Sequence, residues 1–184
     1  MNPDNRIPGF SSPAAGFEAP LEMLAACHGR IEQQCATLGR LVPHVASHGS
    51  DAQAQSAAAA VMRYFDTSAL KHHADEERDL FPALREAMAG SDAVCIREMA
   101  ERVGNEHREL EAAWQRLRAP LARIAAGEAQ ALSGEDVEAF VSAYAAHLAY
   151  EEAEVLPMAE RLLDVSQLDE IGRAMRERRG IDKV

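Results

Sequence analysis

The sequence predicts an all-α protein, an antiparallel up-down four-helix bundle with an irregular N-terminal arm and a short C-terminal helix. Three observations carry that expectation. Apolar residues recur at helical spacing through four long segments. Ala, Leu, Glu and Arg are abundant, while β-branched runs are scarce and aromatic residues make up only 5% of the chain. Short Gly- and Ser-containing stretches separate the segments, so consecutive helices must turn back on one another. At 184 residues the chain is long enough to bury one substantial core. The expected division is an arm over 1–17, the bundle over 18–163, and a final helix and tail over 164–184.

The elements follow in order. Met1 to Pro20 carry four prolines with Gly and Ser, which reads as irregular chain. Segment one runs from about Glu18 to Ala46, with Leu24, His28, Ile31, Cys35, Leu38 and Val42 on its stripe, and Ser47-His48-Gly49-Ser50 breaks it. Segment two runs from about Asp51 to Ala89 through Val61, Phe65, Ala69, His72, Glu76 and Leu80; Pro82 predicts a kink in its last turns and Gly90-Ser91 ends it. Segment three spans about Asp92 to Ala126, through Met99, Val103, His107, Leu110, Trp114 and Leu117, with Gly127 as its C-cap. Ser133 and Asp136 open segment four like a capping box, and its stripe holds Val137, Phe140, Tyr144, His147, Glu151 and Val155. Ser166 and Asp169 repeat that signal before a helix reaching about Arg179, whose arginine-rich end reads as a solvated face.

One phrase is written twice. His72-His73-Ala74-Asp75-Glu76-Glu77-Arg78-Asp79-Leu80-Phe81-Pro82 matches His147-Leu148-Ala149-Tyr150-Glu151-Glu152-Ala153-Glu154-Val155-Leu156-Pro157 as His-x-x-x-Glu-Glu, an acidic residue, two apolar residues and Pro. A four-residue gap puts imidazole and carboxylate one turn apart on one helix face, where both can grip a metal ion. Each of the four stripes carries one histidine where its neighbours predict an apolar residue: His28, His72, His107 and His147. Each is followed four residues later by a glutamate, at Glu32, Glu76, Glu111 and Glu151. Counting residues to the helix ends puts the histidines in one layer, with the last pair offset by an amount that helix overhang or the bend at Pro120 could absorb. Two divalent cations would balance four buried carboxylates, and mixed imidazole and carboxylate donors favour iron or manganese over thiolate-loving metals.

This pattern resembles the hemerythrin-like, or HHE cation-binding, domain over roughly residues 20 to 163: a histidine on helix one, His-x-x-x-Glu-Glu-x-x-Leu-x-Pro on helix two, a histidine on helix three and His-x-x-x-Glu on helix four. The resemblance implies two iron ions with an oxo or hydroxo bridge. It implies that His28 and His72 hold one ion, His107 and His147 the other, and that Glu76 and Glu151 bridge them. Glu32 and Glu111 are further candidate ligands, or groups that neutralise the cluster from outside. His72 is preferred over His73 because it stands ten residues before Pro82, as His147 does before Pro157; His73 and Glu77, about 100° round the helix, read as flanking or solvated.

The chain departs from the oxygen-carrying members of that family. They carry His-x-x-x-His on helix three, where Glu111 stands here, and Asp five residues after the helix-four histidine, where this chain has Glu151 and Glu152 at the fourth and fifth positions. Anionic oxygen donors favour the ferric state, so chemistry with oxygen, peroxide or nitric oxide, in binding, sensing or detoxification, is expected in place of reversible oxygen carriage. The rival readings are a structural or interaction bundle with a polar core layer, and a redox-inactive zinc or manganese bundle.

A net charge of -11 argues against a phosphate-backbone partner, which clustered Lys and Arg would have to hold. No segment is apolar enough to span a bilayer and no basic start precedes an apolar run, so a cytoplasmic location is expected. Cys27, Cys35 and Cys95, without paired spacing, read as reduced, small buried residues. His44 and His48 read as helix-end imidazoles.

Overall fold

The computed structural model describes residues 16–88 and 93–181. The expected arm, apart from Gly16 and Phe17, and the Gly90-Ser91 break lie outside the described residues. All secondary structure among the described residues is helical. Five helical rods account for it: α1 (Pro20–His48), α2 (52–87), α3 (Ala93–Ala125), α4 (134–162) and α5 (Val165–Arg178).

Local signals start and stop these rods. Pro20 occupies the first turn of α1, where a missing N–H is not felt, and Gly49 follows its end with φ 67°. The Asp51 carboxylate accepts from the Ala54 N–H at the start of α2, and the Ser133 hydroxyl accepts from the Asp136 N–H at the start of α4. Gly127 follows α3 with φ 78° and donates its N–H to the Ile124 carbonyl, as its capping role requires. Helix α5 begins earlier than Ser166 suggested: Asp164 and Gln167 form a reciprocal capping box, since the Asp carboxylate and Gln amide reach each other's backbone N–H.

The doubled phrase has a doubled local structure. Within α2 the chain widens into a π-turn over Glu76–Leu80, closed by the Phe81 N–H on the Glu76 carbonyl. Within α4 the same turn covers Glu151–Val155, closed by the Leu156 N–H on the Glu151 carbonyl. Pro82 and Pro157 then sit in the first turn of the helical pieces Phe81–Ala87 and Leu156–Leu162. In an unbroken α-helix each proline would leave a carbonyl unpaired and collide with it; the widened turn lets the helix restart around the ring. Where the sequence predicts a kink at Pro82, the helix carries a π-turn that begins at Glu76. A further π segment, Tyr64–Ala69, precedes His72 on the same rod.

Helix α1 packs against α2 and α4, and α3 packs against the same two, so four rods close a ring. Buried apolar side chains form two clusters within it. One holds Ile31, Leu38, Phe65, Trp114, Phe140 and Tyr144; the other holds Leu24, Leu80, Leu84, Ile96, Val103 and Val155. Along α1 and α3 the chain passes from the second cluster to the first, and along α2 and α4 from the first to the second. On each rod the crossing falls at or within about a turn of its singled-out histidine. Helix α5 adds Ile171 and Met175 to the second cluster. Its Gly172 lies so close to the Phe17 carbonyl that any Cβ would collide with it, which fixes why glycine stands there.

The arginine-rich end of α5 is not a solvated face. Arg178 and Arg179 both bind the fully buried Asp75 carboxylate, Arg179 Nη2 at 2.6 Å, and Arg178 Nη2 also reaches Asp79 at 2.7 Å. Placing an ionised carboxylate inside requires such compensation, so the last helix is tied to the residue preceding Glu76. Among the cysteines, Cys27 and Cys35 are buried as expected, whereas Cys95 is exposed; all are free thiols. His44 stacks on His48 near the end of α1 and its Nε2 lies 3.0 Å from Asp51 Oδ1.

Candidate metal centre

The four histidines expected to share a layer do share it. His28, His72, His107 and His147 are buried, as are Glu76 and Glu151. The His28 and His72 rings meet edge-on with centroids 5.1 Å apart; His107 and His147 do the same at 4.9 Å. The offset anticipated between α3 and α4 does not separate them.

The two buried carboxylates lie between these ring pairs. Glu76 Oε1 is 3.4 Å from His72 Nε2, and its Oε2 is 3.3 Å from His107 Nε2. Glu151 Oε2 is 3.2 Å from His28 Nε2, and its Oε1 is 3.1 Å from His147 Nε2. Each carboxylate therefore faces one imidazole of each pair. None of these approaches has hydrogen-bond geometry: the Nε2 atoms of all four histidines, Glu76 Oε2 and both Glu151 oxygens are buried without a hydrogen-bond partner.

The outer sides of three rings explain why. Glu152 Oε1 accepts from His28 Nδ1 at 3.1 Å, Glu77 Oε1 from His107 Nδ1 at 2.7 Å, and Glu106 Oε2 from His147 Nδ1 at 2.8 Å. In the neutral ring a carboxylate at Nδ1 draws the proton there and leaves Nε2 as a bare lone pair aimed inward. Inside the layer, lone pairs of nitrogen face lone pairs of oxygen. Each unpaired buried group costs about 1–3 kcal/mol, and a cation removes the cost for both kinds of donor at once. The residues present therefore fit a metal.

The electrostatics agree. Burial first, and the Glu151 charge second, hold the Glu76 carboxyl well above the ordinary carboxylate range. Burial, followed by the surrounding imidazoles, holds His72 well below the ordinary imidazole value, in the neutral form that ligates. At His28 burial pulls the value down, but Glu151, then Glu76 and Glu152, outweigh it and the imidazole sits above its ordinary value.

Donor atoms of His28, His72, Glu76 and Glu151 lie within 4.8 Å of one another, as do those of Glu76, His107, His147 and Glu151. A third such group is His73 with His107 and His147. Of the two alternatives expected for His73, flanking or solvated, the second is corrected: it is buried, and its ring flanks His107, stacked with centroids 3.8 Å apart. An inward-facing sector of a helix in such a ring is about 100° wide, so two consecutive residues can both point inside. Tyr144 is also buried, with its hydroxyl 3.4 Å from His73 Nε2, and Trp114 packs while donating to Asp66.

Glu32 and Glu111 are not brought to the centre. Glu32 is exposed; Glu111 is half-buried, accepts from Gln115 Nε2 at 2.6 Å, and lines a surface hollow beside Glu77, His73 and His107. On both helices the fourth residue after the lone histidine points away, because the partner carboxylate comes instead from the neighbouring rod. The charge balance drawn from Glu32 and Glu111 is supplied by Glu77, Glu106 and Glu152. Two of these were legible as the second Glu of each doubled phrase; Glu106, directly before His107, had no repeat to mark it.

Comparison with known proteins agrees with this geometry. Residues 19–159 match the model of the hemerythrin HHE cation-binding domain. The chain is also 29% identical over 167 residues to an uncharacterized protein of Haemophilus influenzae, an alignment covering 91% of this chain and 94% of the relative. Histidine and glutamate clusters able to hold metal, in an all-helical bundle matched over most of its length, place the chain in the hemerythrin HHE cation-binding domain family.

Proposed function

We propose that this protein is a cytoplasmic non-haem di-iron protein that interacts with oxygen, peroxide or nitric oxide, in binding, sensing or detoxification. In this reading His28 and His72 hold one ion, His107 and His147 the other, and Glu76 and Glu151 bridge them. The observation that carries it is the pairing of each buried carboxylate with one imidazole from each ring pair. A bridging ligand needs that placement, and a helix-register device does not.

The alternating order of the two apolar clusters along successive rods supports an antiparallel up-down arrangement, which brings side chains from all four rods to one level. The chain's own contributions are then specific. The imidazoles supply neutral donors, Glu76 and Glu151 supply charge, and Glu77, Glu106 and Glu152 fix the ring orientations. Bound iron would supply a change of oxidation state and a coordination position for a small ligand. No helix among the described residues is long and apolar enough to cross a membrane.

The test is metal analysis with an absorption spectrum on protein from iron-supplemented cells, comparing wild type with His72→Ala and Glu151→Ala. Two irons per wild-type chain and loss in both variants are expected. Full iron in both variants would defeat the ligand assignment, and a colourless zinc or manganese protein would defeat iron. Peroxide or nitric oxide consumption that vanishes in Glu76→Ala would establish turnover, and a spectral change without consumption would establish binding alone.

A further inference from the structure

We propose that the surface hollow between α2 and α3 is the entrance through which divalent cations reach the histidine layer, with the His73 ring as the leaf that swings to admit them. This rests on the dinuclear reading above and adds a route to it. The layer needs one, because its side chains are almost wholly shut off from solvent: His72 is 0% exposed, His28 and Glu151 are 1%, and Glu76 and His147 are 2%. His107 at 4% and the adjoining His73 at 8% are the most open, and both line the hollow.

His73 stands as a partition. Its ring lies beside those of His72, His107 and His147, with centroids 5.9, 3.8 and 6.2 Å away, while it also forms part of the wall of the hollow. One side chain thus separates open volume from three of the four imidazoles of the layer. It is held lightly. Its ring rests on that of His107, and its hydrogen-bond neighbour, the Tyr144 hydroxyl at 3.4 Å from Nε2, lies at the outer limit for such a bond. The hollow, of about 410 Å³, gives the ring space to turn into another rotamer.

The second copy of the phrase has a hollow at the matching place with the opposite chemistry. Leu148 follows His147 as His73 follows His72, and it lines an apolar hollow of about 220 Å³ between α4 and α1 with Tyr144, Cys35 and Ala145, where Glu32 is the one charged side chain. A hydrated cation gives up water only where oxygen or nitrogen lone pairs replace it, so hydrocarbon walls resist its passage. On the α2 and α3 side the Glu77 and Glu111 carboxylates and two imidazoles line the wall and can replace that water in steps. Arg78 and Arg108 border the same hollow, so close-range donors, and not a long-range field, favour the ion there. The remaining seams are covered. Helix α5 packs on α1 and α2 and binds Asp75, and between α3 and α4 Arg102 lies over the Tyr150 ring and binds Glu106, the carboxylate that holds His147.

The test is stopped-flow uptake of cobalt(II) by the metal-free full chain, followed by visible absorption, with release timed by transfer to a chelator. Leu70 lines the hollow and is exposed, so Leu70→Trp covers the mouth without entering the core. It should slow uptake and release by the same factor, about tenfold or more, and leave the equilibrium affinity unchanged, because a cover raises the barrier between two states and alters neither. Ala74→Leu, which narrows the same hollow from α2, should act in the same sense and decides the matter if the tryptophan disturbs folding. His73→Ala removes the leaf and should hasten uptake by about tenfold or more; unchanged or slower uptake overturns the part given to His73. Ala145→Trp places the same cover over the apolar hollow and should keep wild-type rates. Slowed exchange there, or wild-type rates in both Leu70→Trp and Ala74→Leu, overturns the proposal while cobalt bound at two per chain leaves the dinuclear reading intact. A wild-type chain that takes up neither cobalt nor iron overturns that reading and this one together.

Discussion

The two copies of the phrase, on α2 and α4, are alike where they face the interior and different where they face the rest of the molecule. In both, the first glutamate lies between the ring pairs, a π-turn begins at it, and the second glutamate reaches sideways to the lone histidine of a neighbouring rod: Glu77 to His107, Glu152 to His28. The residue before the first glutamate differs. Asp75 is buried and bound by two arginines of α5, whereas Tyr150 lies beneath the guanidinium of Arg102, 3.5 Å from its ring centroid. The rings differ too. His147 has Glu106 at Nδ1, while His72 is without a partner at either nitrogen. The shared positions serve the centre, and the divergent ones anchor each copy to its own surroundings.

The most severe way to break the likeness is to remove a bridging carboxylate. Glu76→Ala and Glu151→Ala should each lose both ions, because each carboxylate faces both seats; metal analysis showing one ion kept in either variant would show that the copies are not equivalent. Next comes the anchor of the first copy. The double variant Arg178→Ala/Arg179→Ala leaves Asp75 buried and unpaired, which should cost about 3–5 kcal/mol in denaturant unfolding of the metal-free protein. Arg102→Ala, its counterpart in the second copy, should cost about 1 kcal/mol or less. Equal losses would mean that α5 does not hold α2 as the ion pairs indicate.

A smaller and symmetric effect is expected at the outer carboxylates. Glu77→Gln and Glu152→Gln should each lower metal affinity by about ten- to a hundredfold, and by similar factors, when zinc is titrated in competition with a chelator. Unchanged affinity in both would remove the role assigned to the second glutamate.

The mildest effect is on pH dependence. Glu76 and His28 sit above their ordinary values, so at any pH where either still carries its proton an incoming cation must expel it, whereas His72 sits below its own and is neutral. Affinity should therefore rise with pH, by about tenfold per unit for each proton displaced. Calorimetry in buffers of different ionisation enthalpy reads that proton release, and its absence would contradict the shifts.

Much of this was legible in the chain. The helical period identified the rods, and the histidines interrupting it identified the layer, because a polar ring on the core stripe of every rod calls for polar company at one level. The i, i+4 rule picked out Glu76 and Glu151, which lie in the layer, and also Glu32 and Glu111, which do not. It knows only which residues share a face of one helix, and these two faces turn outward below the histidine. Glu106 acts across helices, on His147. No spacing within one segment reports such a contact. His73 is buried although it lies about 100° round the helix from His72, because the inward sector in a ring of four rods is wide enough for two adjacent residues. The arginines of α5 escaped for a related reason: a charge run has no period that reveals a buried Asp75 waiting for it.

The carboxylates of Glu77 and Glu152 remain 47% and 55% exposed while the rings they hold are 4% and 1% exposed. Their negative charge sits in the medium and their proton acceptance ends on a donor nitrogen inside. A counter-ion or a neutralising substitution at the surface thus changes how strongly a sealed imidazole gives its electrons. In the di-iron reading proposed above, substitutions at two positions that solvent already touches would retune the reduction potential of an unaltered interior.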